Sequence, residues 1–560
     1  MRRLAAAVAA MTLIAAPAAA RAELAEAPAG VAEMPFASPV VGGDWPDPDI
    51  TLVDGTYYAI ATSGGWAPVF PIMRSTDLRE WEIAGSVFPR APRWTRDSFW
   101  APEMAELPGG GFAVYYSAWP RRTTGRGRAP GGSRYCLGVA TAPSPLGPWR
   151  DLGRPLRCTS EGVIDPTPVV EDGRLQLVHK ADANSVDRPT PILLQRMSAD
   201  GRRLIGEPRR LIRNRARWER RVVEAPELVR RDGWWHMVYS ASLCCGPRCT
   251  YAVGAARARR LAGPWRKHPG NPILRGANGW RCPGHISILD DHVAFHAYRS
   301  GDLLAGRQMQ LAPLTVGADG WPAIGDGRPV GPSADAAPGP LAGDFDEDFR
   351  ALVPPGTPQV RIDGIGATAL PGHWQWPVTH PPAIWLDATG LTLRAPVATA
   401  APIRRRSLHR RPDAAVLARR LGTDRFTATA TIDLTSLTGR ESAGLAVTRG
   451  GPFAVGGQAI GISIAASRDG DASAIVWRRA GRRTSRSTRA VDATGPLVHL
   501  RLVANGRRFR FHVSSDGTTS SPAGRARRSP VVETGRIALT TGGQRAATAR
   551  FTHATLVERR

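Results

Sequence analysis

Through the first 340 residues, short runs of alternating apolar and polar positions recur, each entered through a Gly- or Asp-rich turn. Asp54-Gly55 leads into Thr56–Ile60, Gly110-Gly111 into Phe112–Tyr116, Asp172-Gly173 into Arg174–Val178, Asp232-Gly233 into Trp234–Val238, and Asp290-Asp291 into His292–His296. Period-two alternation sends successive side chains to opposite faces of a strand, and Asp-Gly supplies the positive φ that a tight hairpin demands. A polar residue precedes each turn: Asp47, Glu103, Asp165, Glu224 and His285, spaced about 60 residues apart. A second element follows in several units, a loop ending in tryptophan (Ser75–Trp81, Ser144–Trp149, Arg260–Trp265), with Ser198–Gly201 a degenerate copy. Each such loop reads as the feed into an outer strand. Five units of two hairpins predict an all-β fold, a five-bladed β-propeller over 41–340. From residue 341 the texture changes. Asp344–Phe349, Phe426–Ile432, Ala443–Val447, Ile460–Ile464 and Leu500–Val503 alternate at spacings that predict a β-sandwich over 341–560.

A chain of 560 residues exceeds what one core serves, which agrees with two domains. The net charge of +26 changes less than its size suggests. Lysine stands only at Lys180 and Lys267, and the arginines are spread along the whole chain with no nucleic-acid-binding pattern among them. Biased replacement of Lys by Arg accounts for most of this, so no nucleic-acid partner is expected. What remains is attraction to a polyanion such as an acidic polysaccharide. The arginine clusters Arg404–Arg406 and His409–Arg411 read as solvated loop charge. Residues 1–22 have a basic start, an apolar stretch and an Ala-Arg-Ala end, the layout of a signal peptide, with 23–40 a flexible leader. This predicts a secreted or periplasmic protein with no membrane span. In that setting Cys136, Cys158, Cys244, Cys245, Cys249 and Cys282 are expected as disulfides, the neighbours Cys244 and Cys245 with different partners.

In a propeller the inner strand of every blade faces the axis, so the five repeat-starting residues converge. Mutually repelling carboxylates are odd there unless they do chemistry. The segments carrying them are Asp44–Ile50, Phe99–Glu103, Ile164–Pro168, Val223–Leu228 and Pro283–His285. Taken in order, they resemble glycoside hydrolase family 43, the arabinanase and β-xylosidase-like enzymes. Gly372–Pro377 and the stretch to Arg394 resemble the concanavalin A-like sandwich behind many such propellers. The resemblance implies Asp47 as general base, Glu224 as general acid and Asp165 as the carboxylate that holds the acid and raises its pKa. It implies Trp100 as an aromatic wall of the subsite and His285 beside the sugar and an axial water or cation. No cofactor is required, and a structural calcium near the axis is compatible with it. Asp49 and Glu227 rival Asp47 and Glu224; alternation alone places Asp47 and Asp49 on the same face. Glu103 reads as a salt-bridged or supporting residue, and Arg299 as reaching the sugar or lining the channel.

The chemistry agrees. Glycoside cleavage needs one carboxylic acid to protonate the leaving oxygen and one carboxylate across from it. The expectation is a secreted, inverting hydrolase that releases L-arabinofuranosyl or D-xylosyl units from arabinan, arabinoxylan or their oligosaccharides. Two other readings fit a ring of sheets. A carbohydrate-binding propeller without turnover is opposed by the three carboxylates. A fructan-cleaving propeller enzyme is opposed by the absence of its Asn-Asp-Pro-Asn signature.

Overall fold

The computed structural model describes residues 36–559, apart from 122–134, 334–335, 337–338, 363–369, 372, 397–410, 440, 451–456, 467–470, 482, 494, 532 and 545. The expected signal segment, the leader up to residue 35 and the basic positions Arg404–Arg406, His409 and Arg410 lie outside the described residues.

Five consecutive antiparallel sheets occupy the first part of the chain. Their first strands are β1 (Asp49–Val53), β2 (Thr95–Glu106), β3 (Val163–Glu171), β4 (Val223–Arg231) and β5 (Trp280–Leu289). Each of these strands contacts the next, and β5 contacts β1, so the five inner strands close a ring and the sheets form a β-propeller. The Asp-Gly turns do what their chemistry predicts. Val53 pairs with Thr56, Glu171 with Arg174 and Arg231 with Trp234, leaving two-residue loops. Both loop residues take positive φ at Asp54-Gly55, Asp172-Gly173 and Asp232-Gly233, the mirror-image turn whose twist matches a hairpin. The second strand of each sheet is packed on both faces; Tyr115, Tyr116, Met237, Tyr239 and Phe295 are fully buried.

The ring is fastened by the chain's own beginning. Val41 bridges to Met309 in the third strand of the fifth sheet, and the Trp45 N–H donates to the Arg307 carbonyl (2.7 Å). The Ser38 hydroxyl donates to Gln310 Oε1 (2.6 Å), and the Phe36 ring packs edge-on to His292. Residues 36–40, expected as the end of a flexible leader, are therefore part of the fold.

The second part, from Phe345 to Glu558, is two antiparallel sheets of ten and six strands, a β-sandwich. Its core runs without a break into the first two propeller sheets. Phe70, Phe88, Phe99 and Tyr116 belong to the same buried cluster as Trp374, Trp376, Leu393, Phe426 and Phe551. Trp376-Pro377 pairs as a strand with Trp66-Ala67 of the propeller. Arg420 donates to the Asp44 carbonyl, and Arg536 lies over the Trp66 ring (4.6 Å) while its Nε donates to Gln375 Oε1 (3.0 Å).

Six cysteines make three bridges: Cys136–Cys158, Cys249–Cys282 and Cys244–Cys245. The expectation of separate partners for Cys244 and Cys245 is corrected. Cys136 faces Cys158 across paired strands, and Cys249 is folded against Cys282, which leaves the neighbours only each other.

Candidate active site

Each inner strand is interrupted at the same level of the ring. Asp47, Ala101, Asp165, Ala225 and His285 all adopt left-handed backbone, φ between 44° and 54°. This is costly for residues bearing a Cβ and persists only where the surroundings impose it. In β2 to β5 the ladder skips here, between Trp100 and Glu103, Ile164 and Thr167, Glu224 and Glu227, and Gly284 and Ser287. The bulge re-aims the side chains on either side of it. The sequence repeat had aligned Glu103 and Glu224 with Asp47, Asp165 and His285; the structure equates Ala101 and Ala225 with them instead.

The bulge also separates the rival carboxylates. Asp47, Asp165, Glu224, His285 and Trp100 line one cavity of about 640 Å³. Asp49, Glu103 and Glu227 line a second, of about 310 Å³. In this second chamber burial, followed by mutual repulsion, pushes Glu103 well above the ordinary carboxylate range, and burial raises Glu227 likewise and Asp49 to about 7. The Thr167 hydroxyl stands within donating distance of both the Pro226 carbonyl (2.6 Å) and Glu103 Oε1 (2.8 Å). Glu103 forms no ion pair among the described residues, so of the two roles read for it, salt-bridged or supporting, the first is not seen. No group of three or more His, Cys, Asp or Glu side chains is arranged to hold a metal ion among the described residues.

In the larger cavity the three carboxylates have different partners. Arg307 Nη1 donates to Asp47 Oδ1 (2.7 Å), with His285 Nδ1 and His296 Nδ1 each 3.4 Å from the same oxygen. Burial works to raise the pKa of Asp47, but the charge of Arg307, aided by a hydrogen bond from Thr62, outweighs it and holds the carboxylate ionised. His296 is neutral: burial depresses its pKa, and its Nδ1 accepts the Asp47 N–H (3.1 Å). Burial and then the neighbouring Glu224 push Asp165 up to about 8. Glu224 Oε2 accepts from Lys180 Nζ (2.6 Å), and its Oε1 accepts from the Tyr251 hydroxyl (2.9 Å).

Lys180 breaks the pattern of the ring. Ser117, Lys180, Ser240 and His296 hold corresponding places, opposite Trp100, Ile164, Glu224 and Gly284. Thr62 anchors the bulge N–H of the next sheet at Ala101 (2.7 Å), Ser117 at Asp165 (3.2 Å), Ser240 at His285 (2.8 Å) and His296 at Asp47. Lys180 anchors none of them. Its ammonium reaches Glu224 and Asp182 (3.2 Å), and the Ala225 N–H goes to Asp165 Oδ2 (2.9 Å). One substitution in a repeated anchor thus places a cation on Glu224 and ties Asp165 to its backbone.

Trp100 stacks on Tyr135 (4.1 Å), which stacks on Trp119, so the aromatic wall is a three-ring stack. Arg299 does not line the cavity. It is exposed at the end of its strand, and Arg307 holds the position expected of it. Arg307, Lys180, Tyr251 and Tyr298 were missed by sequence reasoning. So was the wall supplied by the sandwich, Arg449, Gly450, Gly457, Glu533, Thr534 and Arg536. Gly306 was a usable signal for Arg307. Its φ is +81°, and a Cβ there would sit 2.4 Å from Asp44 Oδ1, a close approach that only glycine permits.

The family model for glycosyl hydrolases family 43 matches residues 36–322, and that for the β-xylosidase C-terminal concanavalin A-like domain matches 366–536. A β-xylosidase of Bacillus subtilis is 25% identical over 276 residues, 46% of this chain and 48% of its own length. An extracellular endo-α-(1→5)-L-arabinanase of the same organism is 24% identical over 300 residues, 49% of this chain and 86% of its own length. The chain spans about half the length of several of the curated relatives it matches. The crystal structure of the family-43 protein BlXynB from Bacillus licheniformis superposes with a TM-score of 0.71 at 18% identity, covering 94% of this chain and 100% of that one. That likeness extends the shared fold over both domains.

Proposed function

Because the chain belongs to glycosyl hydrolases family 43, we propose that it is a secreted, inverting glycosidase acting on xylan- or arabinan-type pentosans. It releases D-xylosyl or L-arabinofuranosyl units from arabinan, arabinoxylan or their oligosaccharides. The observation carrying this reading is that Asp47, Asp165 and Glu224, from three different sheets, line one cavity in unequal electrostatic settings.

Asp47 is the general base. Held ionised by Arg307, it takes a proton from the water that attacks the anomeric carbon. Glu224 is the general acid, with Tyr251 and Lys180 fixing its two oxygens. Burial and the neighbouring Glu224 push Asp165 up to about 8, so a proton is available within this carboxyl pair at neutral pH. With that proton on Glu224, the acid is armed, and it leaves with the departing sugar oxygen. While Glu224 holds the proton, Asp165 carries the negative charge, stabilised by the Ala225 N–H; once the proton has left, Glu224 is the carboxylate and accepts from Lys180 and Tyr251. Trp100 offers a flat apolar face to the ring of the bound sugar.

Incubation with xylo- and arabino-oligosaccharides, followed by anomeric NMR, tests this. The expected first product is the anomer opposite to that of the cleaved linkage. A product of retained configuration refutes inversion, and no turnover of either series refutes the glycosidase.

A further inference from the structure

Three loops on the active-site end of the ring enclose a groove beside the catalytic cavity. Residues 217–220 lead into β4, residues 242–251 follow the strand paired with it (Trp234–Ala241), and residues 271–279 lead into β5. The groove measures about 410 Å³ between Trp218, Tyr251, Asn271, Arg275 and Arg281. It continues past Trp218 and Thr250 into a stretch of about 570 Å³ lined by Arg217 and Arg220. Tyr251 lines both the groove and the catalytic cavity, and its hydroxyl donates to Glu224 Oε1 (2.9 Å). Glu224 is the proposed acid, so the groove starts on the side where the leaving sugar stands.

Its walls are held from beneath. Glu219 is fully buried, and its Oε2 accepts from the N–H groups of Arg215 (2.6 Å) and Ala216 (2.9 Å). The Tyr239 hydroxyl donates to Glu219 Oε1 (2.7 Å) and accepts from the Asn271 amide on the opposite wall (3.2 Å). A Cβ at Gly254 would stand 2.7 Å from the Trp218 ring, so glycine there lets the indole lie against the strand. The Cys249–Cys282 bridge closes another part of the wall. The charge is one-sided. Arg217, Arg220, Arg275 and Arg281 line the groove, no carboxylate does among the described residues, and none of the four makes an ion pair among them. Arg281 Nη2 donates to the Pro247 carbonyl (3.2 Å), while Arg217, Arg220 and Arg275 are exposed. A guanidinium fork matches a carboxylate, and an indole offers a flat apolar face. A sugar that is flat-faced and anionic at once is a hexuronic acid.

We propose that this groove binds a hexuronic acid branch on the leaving side of the cleaved bond, so that acid-substituted pentosans are preferred over neutral ones. This rests on the glycosidase reading and narrows its substrate class. The test compares a neutral xylo-oligosaccharide with one bearing a glucuronic acid branch on the sugar next to the cleaved terminal unit. Each exposed guanidinium–carboxylate contact is worth about two- to fivefold, so kcat/KM is about five- to twentyfold higher on the acidic substrate at low ionic strength. Added salt shrinks this preference. Arg217→Gln combined with Arg275→Gln brings the ratio toward one. Reducing the substrate's carboxylate to an alcohol does the same and needs no variant to fold. A ratio near one in the unaltered protein, or a ratio that the double variant leaves in place, overturns the proposal. If the unaltered protein turns over neither substrate, the glycosidase reading fails separately. Calorimetric titration of the two oligosaccharides then reads the groove: tighter binding of the acidic one upholds it, and equal binding overturns it.

Discussion

Lys180→Met is the most informative single change, because it removes a charge while leaving the sugar-facing surface intact. The ammonium sits 2.6 Å from Glu224 Oε2 and 3.2 Å from Asp182 Oδ1, with its side chain 1% exposed. At an effective dielectric of about 20, a unit charge pair at the shorter distance is worth about 6 kcal/mol. Desolvation of the buried ammonium takes back much of this, and opposite charges in contact typically displace a carboxyl pKa by about 1–3 units. Lys180 also holds down the pKa of Asp165, which reaches about 8 even with the cation present. Without it, Asp165 holds its proton more tightly. The alkaline limb of kcat/KM, expected near pH 8, therefore moves up by about 1–3 pH units.

Stability responds with a definite sign. Breaking a buried pair costs about 3–5 kcal/mol at neutral pH. Asp165, raised already and raised further without Lys180, has a folded-state pKa above its unfolded value, so the variant binds an extra proton when folded and regains stability as pH falls toward the unfolded range near 4. Steady-state pH profiles and thermal melts at pH 5 and pH 8 read both effects. An alkaline limb that stays in place would show that Lys180 merely fills space.

Three further outcomes follow from the same geometry. Asp47→Asn and Glu224→Gln each lower kcat by about 10²- to 10⁴-fold, and only the Glu224 variant recovers on substrates whose leaving group needs no protonation; equal recovery by both would reverse the assignment. Arg307→Ala costs activity, because Asp47 loses its 2.7 Å partner, whereas Arg299→Ala leaves kcat and KM unchanged; kinetics on the two variants side by side decides between them. Replacing Cys249 and Cys282 by alanine opens a loop of 33 residues and lowers unfolding free energy by about 3–4 kcal/mol in denaturant titration, a loss absent if the bridge does not form in solution.

Local chemistry carried most of the propeller into view. Asp-Gly turns, period-two strands and a recurring polar residue ahead of each turn are encoded within a few positions, so Asp47, Asp165 and Glu224 stood out from the chain, while Trp100 and the division of roles came from the family resemblance. What stayed hidden depends on contacts far apart in sequence. Alternation assigns Asp47 and Asp49 to one face, and only the left-handed residue at Asp47 sends them to different chambers. Arg307 stands on the third strand of its sheet, outside the repeated motif. Lys180 offered a faint signal, as one of two lysines in an arginine-rich chain. Glu533 and Arg449 reach the cavity only through the packing of the second domain, which no local pattern announces.

The fastening of the ring bears on when the protein becomes competent. Asp47 lies just after the segment that docks on the fifth sheet, and its guanidinium partner is 260 positions further on. A nascent or truncated polypeptide ending before that strand would hold Asp47, the proposed base, without the Arg307 guanidinium that keeps it charged. On the proposed reading, activity is deferred until the circle shuts.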